Sequence, residues 1–217
     1  MSLFQGRSDV YARRWEKDGR SGYTPAYEFN WTEEILCGLL YMGYTGCVEI
    51  KSTLTNHAGQ VLEVAYHDME QESDLGDRKV QGVHAYCFCK DKLVVVYAAN
   101  KGYWTPPGGG VEKDEEVRAA VRREVKEETN MNVVCQRFIG FQDIKEPQGI
   151  VTQTRSVCMV EPYGPFVTDP DGDITEIKLI DPKDYKQYFD WGEIGDRLMD
   201  RALQIKAQMD LELNYVR

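Results

Sequence analysis

The chain has 217 residues, 42% of them apolar, and a formal net charge of −10. That length fits one large domain or a domain with an extension, with enough apolar side chains for a real core. The acidic balance excludes nonspecific nucleic-acid binding through a basic footprint, and no stretch has the length of a membrane span.

The first residues, MSLFQGRSD, lack the apolar segment of a secretory signal. Val10 to Lys17 reads as a helix inside an otherwise irregular, polar stretch of 30 residues. A second short helix is expected over EEILCGLLYMGY, with Thr32 as its N-cap and Glu33 and Glu34 in its first turn. CVEIKSTL and QVLEVAYH are β-rich runs separated by TNHAG, which predicts a hairpin with Gly59 in its turn. MEQESDLGDR is a polar loop. From Val80 the runs VQGVHAYCFC and KLVVVYAA predict two strands about a turn at residues 90–92. None of the six cysteines (Cys37, Cys47, Cys87, Cys89, Cys135, Cys158) forms a CxxC pair. Cys87 and Cys89 alternate within an apolar run, so buried free thiols in a reducing, cytoplasmic compartment are expected rather than zinc or disulfides.

The informative stretch is GGGVEKDEEVRAAVRREVKEETNM, Gly108 to Met131: a glycine turn followed by a charge-dense helix. At about 100° per residue, Val117, Ala120, Val121 and Val125 gather on one arc. Glu124 and Glu128 fall within that arc and Glu127 lies at its edge. Charged helices usually carry such residues on a solvated face with i,i+4 pairs, such as Arg123 with Glu127. Two carboxylates on the apolar side, one turn apart, instead repel each other and suffer desolvation. A hard divalent cation relieves both effects. The helix should stop near Thr129, with Asn130 turning into the left-handed region. Trp104, just before the glycines, is read as a core anchor rather than a base-stacking surface.

Beyond the helix, VVCQRFIGFQDI and VTQTRSVCMVEPY read as strands. VTDPDGD is an acidic loop that lacks the full calcium-loop spacing, so a turn on Pro170 and Gly172 is expected. ITEIKLID predicts a further strand, and DWGEIGDRLMDRALQIKAQM a closing helix with Ile194, Leu198, Ala202, Ile205 and Met209 on one face.

The spacing from Gly109 through Glu115, Arg123-Glu124-Val125 and Glu127-Glu128 to Met131 closely resembles the Nudix box. Every fixed position matches except the final glycine, which is Asn130 here. Pro107 and Gly108 to Gly110 match the way that fold leads into its box. The likeness covers roughly residues 80–180. It implies an α/β fold, an α/β/α sandwich with a mixed sheet over residues 79–217; residues 1–78 lie outside the likeness and are expected to form an N-terminal extension of helix and β-hairpin. It implies metal-dependent hydrolysis of a nucleoside diphosphate linked to another group, with Mg²⁺ or Mn²⁺ as cofactor and a small nucleotide as substrate. Glu124 and Glu128 would be the principal ligands, Glu127 a further one, and the Gly108 carbonyl another. Glu115 and Arg123, with Gly109, would hold the loop against the helix. Glu176 is the first candidate for the base, with Asp173 and Asp143 behind it.

A silent nucleotide-sensing module and an isoprenoid-diphosphate isomerase on the same fold are the alternatives. The chain keeps every box carboxylate, which favours the hydrolase. Pro147 and the N-terminal hairpin loosely resemble features of ADP-ribose hydrolases, so ADP-ribose or a nucleotide sugar is preferred over a (d)NTP. The extension would either lengthen the sheet or pair with a second copy in a homodimer; neither nucleic acid nor membrane is expected as a partner.

Overall fold

The structure, a computed structural model, describes residues 10–17, 20–27, 48–56, 59–166, 169–170 and 172–215. The chain divides into two compact units, Met1–Gly46 and Cys47–Arg217. In the first, β1 (Val10–Lys17) and β2 (Arg20–Tyr27) form an antiparallel pair. This corrects the helix expected over Val10–Lys17. Lys17 pairs with Arg20, and the two residues between them in the sequence are Asp18-Gly19, a dipeptide favoured in two-residue hairpins. An eight-residue helix has little intrinsic stability, whereas pairing supplies a ladder of hydrogen bonds at once. The helix expected from Thr32 lies outside the described residues.

The second unit is built on one mixed sheet. Its strands are β3 (Glu49–Thr55), β4 (Val61–Asp68), β5 (Val80–Cys89), β6 (Lys92–Ala98), β7 (Tyr103–Thr105), β8 (Met131–Glu146), β9 (Gly149–Pro162) and β10 (Ile174–Ile180). Their order is β10-β6-β5-β9-β8-β4-β3, with β7 paired to β6. Only the β5–β9 pairing is parallel among those described. The hairpin β3–β4 forms as the sequence predicts, and β4 pairs with β8, so it lengthens the sheet.

Period-two alternation sends successive side chains to opposite faces. On β5, Val83, Ala85 and Cys87 meet Ala120, Val121 and Val125 of α1 (Val117–Thr129). Tyr86 and Phe88 face the other way, into a core with Val157, Met159 and the expected face of α2 (Gly192–Tyr215): Ile194, Leu198, Ala202, Ile205 and Met209. One helix on each face makes the α/β/α sandwich. Among the described residues no helix is long and apolar enough to cross a membrane. Cys87, Cys89 and Cys158 are buried free thiols and Cys135 a half-buried one.

The lengthened edge is fixed by a polar clamp. Asp68, at the end of β4, takes charged hydrogen bonds from Arg197 and Arg201 of α2. The Tyr66 hydroxyl donates to the Ile139 carbonyl at 2.9 Å. Its ring lies so close to Gly140 that a Cβ there would stand 2.3 Å away. Only glycine permits that approach.

Helix α1 stops where the sequence places its end. Asn130 is left-handed (φ 51°, ψ 37°) and its N–H donates to the Lys126 carbonyl. Its side chain also donates to the Pro165 carbonyl at 2.8 Å. Glycine would relieve the left-handed backbone but lose that bond, and each effect is about 1 kcal/mol. Asn130→Gly is therefore expected to change unfolding free energy by less than about 1 kcal/mol, as urea denaturation would read it.

Candidate active site

The site begins where the backbone of β5 meets the glycine turn. Val83 N–H donates to the Gly109 carbonyl at 2.9 Å and Ala85 N–H to the Pro107 carbonyl at 2.8 Å. Gly108 has φ +157°, and a Cβ on it would sit 2.1 Å from the Val83 carbonyl oxygen. A Cβ on Gly109 would sit 2.6 Å from both carboxylate oxygens of Glu124. The two glycines thus form a cradle that any side chain would fill, and the α1 carboxylates press into it.

Glu124 and Glu128 of α1 line this cradle, and Glu127 joins them through Arg123. Glu128 accepts from the Gly108 N–H at 2.8 Å. Glu124 and Glu127 both accept from Arg123 Nη1, at 2.8 and 3.0 Å. The rest of that guanidinium forks onto Glu115, with Nε at 2.9 Å and Nη2 at 3.0 Å, and reaches the Gly110 carbonyl at 2.8 Å. Glu115 in turn accepts from the Glu112 N–H. Arg123 is therefore the tie between loop and helix, as a planar five-donor group can be.

The electrostatics are uneven along the row. Burial pushes the Glu128 carboxyl up to about 8; the Gly108 N–H opposes this, while the charges of Glu124 and Asp169 add to it. Glu124 is raised as well, chiefly by burial and against the pull of Arg123. Glu115, bonded to Arg123, is held below the usual carboxylate range. Among the described residues no three His, Cys, Asp or Glu side chains converge on one point; the carboxylates stand in a row, tied to Arg123 and Gly108. The donor set nonetheless fits a hard divalent cation: oxygen ligands on a rigid helix, like charges that repel, and a glycine cradle with room for little else.

The raised Glu128 has a measurable consequence. Its folded value near 8 lies above the ordinary 4.5, so between those values the folded state holds a proton that the unfolded state releases. Stability of the metal-free protein is expected to fall as pH rises from about 4.5 to about 8 and to level off above. Urea denaturation in chelator at several pH values should show this slope, and Glu128→Gln should flatten it.

The structure separates the candidate bases. Asp143 on β8 is held by Arg78 at 2.9 Å and by the Thr152 hydroxyl at 2.6 Å. Asp173 is exposed, and its N–H donates to Asp169 Oδ2. Glu176 lies within β10, opposite Tyr97 in the register, and is exposed. Asp169 is the residue that sequence reasoning passed over. It is buried, its Oδ2 accepts from the N–H groups of Asp173 and Ile174, and its charge acts on Glu128. The available signal was an Asp opening a Pro-Asp-Gly turn, a position that suits backbone capping. Trp104 is half-buried against the core on the α2 face and packs near Tyr97 and Tyr188, with Lys178 Nζ 4.3 Å from its ring centre.

Comparisons with known proteins bear on the same residues. The family model of the NUDIX domain matches residues 78–202, more than half of the chain. A model of the archaeo-eukaryotic primase domain of the TOTE conflict system matches residues 1–101, less than half. The uncharacterized Nudix hydrolase YvcI of Bacillus subtilis (strain 168) is 39% identical over 65 residues, 29% of this chain and 41% of that protein. The chain thus spans about two fifths of the length of the curated relative it matches. Among solved structures, the B. subtilis pyrophosphohydrolase BsRppH is similar at 17% identity and TM-score 0.47, over 59% of this chain and 77% of that one. An ADP-ribose pyrophosphatase from Streptococcus suis is similar at 20% identity and TM-score 0.38, over 57% and 86%. The NUDIX domain of Shewanella oneidensis NrtR, complexed with ADP ribose, is similar at 16% identity and TM-score 0.41, over 64% and 94%. The extent of the family match, which spans the glycine turn and glutamate helix described above, means that this chain belongs to the NUDIX domain family.

Proposed function

We propose that the protein is a metal-dependent pyrophosphohydrolase that cleaves a nucleoside diphosphate linked to another group. The observation that carries this reading is Glu124 and Glu128 pressed against the Gly108-Gly109 cradle, with Glu127 tied to Glu124 through Arg123 and Glu128 raised to about 8. Glu124 and Glu128, joined by Glu127 and the Gly108 carbonyl, would hold Mg²⁺ or Mn²⁺. When bound, such a cation neutralises charge on the diphosphate oxygens and acidifies water.

The chain's own contribution is positional. Arg123 fixes the rotamers of Glu115, Glu124 and Glu127 and anchors the turn through Gly110, so the carboxylates are set before substrate arrives. Glu176 remains the first candidate to take the proton from water, with Asp173 next. Asp143 is already engaged by Arg78 and Thr152 and stands last.

ADP-ribose or a nucleotide sugar is the preferred substrate class, and a (d)NTP the alternative. Pro147 weighs little in that choice, because it sits in the turn that joins β8 to β9, where Glu146 pairs with Gly149. The products decide. Hydrolysis of ADP-ribose between its phosphates yields AMP and ribose 5-phosphate; hydrolysis of a triphosphate yields a monophosphate and pyrophosphate. Rates for both classes in one Mg²⁺ buffer should favour ADP-ribose in kcat/KM. A clear preference for triphosphates would overturn the substrate class and leave the site standing. Tight nucleotide binding without turnover would favour a sensing module.

A further inference from the structure

One cluster of buried polar groups is left unexplained by the carboxylate row. β5 and β9 run parallel, with His84 beside Arg155 in the register. Both point to the α2 side of the sheet, which Tyr86, Phe88, Val157 and Met159 otherwise make apolar. Arg155 is only 3% exposed. Its guanidinium donates to three neutral acceptors: the Thr154 carbonyl at 3.1 Å, Gln142 Oε1 at 3.2 Å and Gln153 Oε1 at 3.0 Å. Arg155 Nε, His84 Nδ1 and the Tyr86 hydroxyl are buried without a hydrogen-bond partner among the described residues. No carboxylate pairs with Arg155 among those residues, and burial lowers its pKa to about 10.

An uncompensated cation with its own Nε unpaired, beside two further unpaired polar atoms, opposes folding, and an apolar side chain of similar size would suit this layer better. Such a group persists where something else uses it. The surroundings indicate what. His84 lies directly under the glycine turn: a Cβ on Gly108 would stand 2.7 Å from its Cα. Gly108 N–H is the donor to Glu128, so His84, the register partner of Arg155, lies against the turn that Glu128 also holds. The charge of Lys101 acts on both His84 and Glu128. Around Arg155, His84, Gln153 and Trp191 are half-buried. Trp191 meets His84 edge-on at 5.9 Å, and the Arg155 guanidinium is 5.8 Å from the centre of its ring.

We propose that Arg155, with His84 and Trp191 beside it, is a metal-independent subsite for a phosphate group of the substrate. The substrate role rests on the hydrolase reading above; the anion site itself does not. A phosphate there gives the guanidinium its missing counter-charge and gives Arg155 Nε an acceptor. His84, kept neutral by burial and by the positive charges of Arg155 and Lys101, adds no competing charge.

The test uses orthophosphate with the full chain in EDTA, at ionic strength matched with NaCl. Phosphate should raise the Tm in a saturable way and change tryptophan fluorescence. Arg155→Met should lose both responses. Trp191→Phe should lose the fluorescence change. If Arg155→Met does not fold, Arg155→Lys, which keeps the charge without the fork, should bind phosphate at least about tenfold more weakly. No saturable response in the wild type, or equal responses in the Arg155 variant, overturns the subsite. A protein that binds phosphate through Arg155 yet hydrolyses nothing with Mg²⁺ would overturn the reaction and leave the anion site. Hydrolysis together with a phosphate response insensitive to Arg155 would overturn the subsite alone.

Discussion

Glu124→Gln is expected to lower kcat by about 10²-fold or more with circular dichroism unchanged. The substitution keeps the shape of a side chain that packs within 2.6 Å of the position a Gly109 Cβ would take, and removes only its charge. Loss of one preorganised charged group at the reacting centre typically costs 10²–10³ in rate. Glu115→Gln is the paired control. Glu115 touches Arg123 and the Glu112 N–H, so its loss should lower Tm more than it lowers kcat. Steady-state rates and thermal melts of the two variants on one substrate separate the roles. Wild-type rates in both would show that the row is not the reacting centre.

Arg123→Ala should destabilise the protein by about 3 kcal/mol, towards the lower end for breaking a buried ionic network. The side chain is 25% exposed, and solvent screening reduces what a fully buried network would lose. Its removal leaves Glu115, Glu124 and Glu127 without their shared cation and frees the Gly110 carbonyl. Arg123→Lys should recover only part of the loss, because one ammonium cannot serve four acceptors in a plane. Urea denaturation of the three proteins reads the difference, and a change below about 0.5 kcal/mol for Arg123→Ala, the range of ordinary surface substitutions, would contradict the hub described here.

Sequence and structure agree best where one local pattern decides the outcome. The α1 arc, the hairpin at Gly59, the strands from Val80 and the left-handed Asn130 each follow from spacing or from one residue's backbone preference. Val10–Lys17 shows the failure: its side chains suit either period, and pairing with Arg20–Tyr27 settled it. Asp169 and Arg155 show a different limit. In the sequence one is a turn acid and the other a strand charge that alternation could send either way. Their burial depends on what lies opposite: the Asp173-Ile174 backbone for Asp169, and the non-local parallel partner β5 for Arg155. The box itself was legible because its chemistry is written within one helix and the turn before it.

The most direct test of the account is the thermal response to Mg²⁺. In chelator the carboxylate row is unrelieved, with Glu128 pushed up by burial and by the charges of Glu124 and Asp169. Millimolar Mg²⁺ should raise the Tm of the wild-type protein in a saturable way, since a ligand that binds only the folded state stabilises it. Glu124→Gln and Glu128→Gln should each lose most of that rise while remaining folded. A wild-type Tm indifferent to Mg²⁺ and Mn²⁺ at millimolar concentration, or an equal rise in both variants, would contradict the assignment of these glutamates as the cation site.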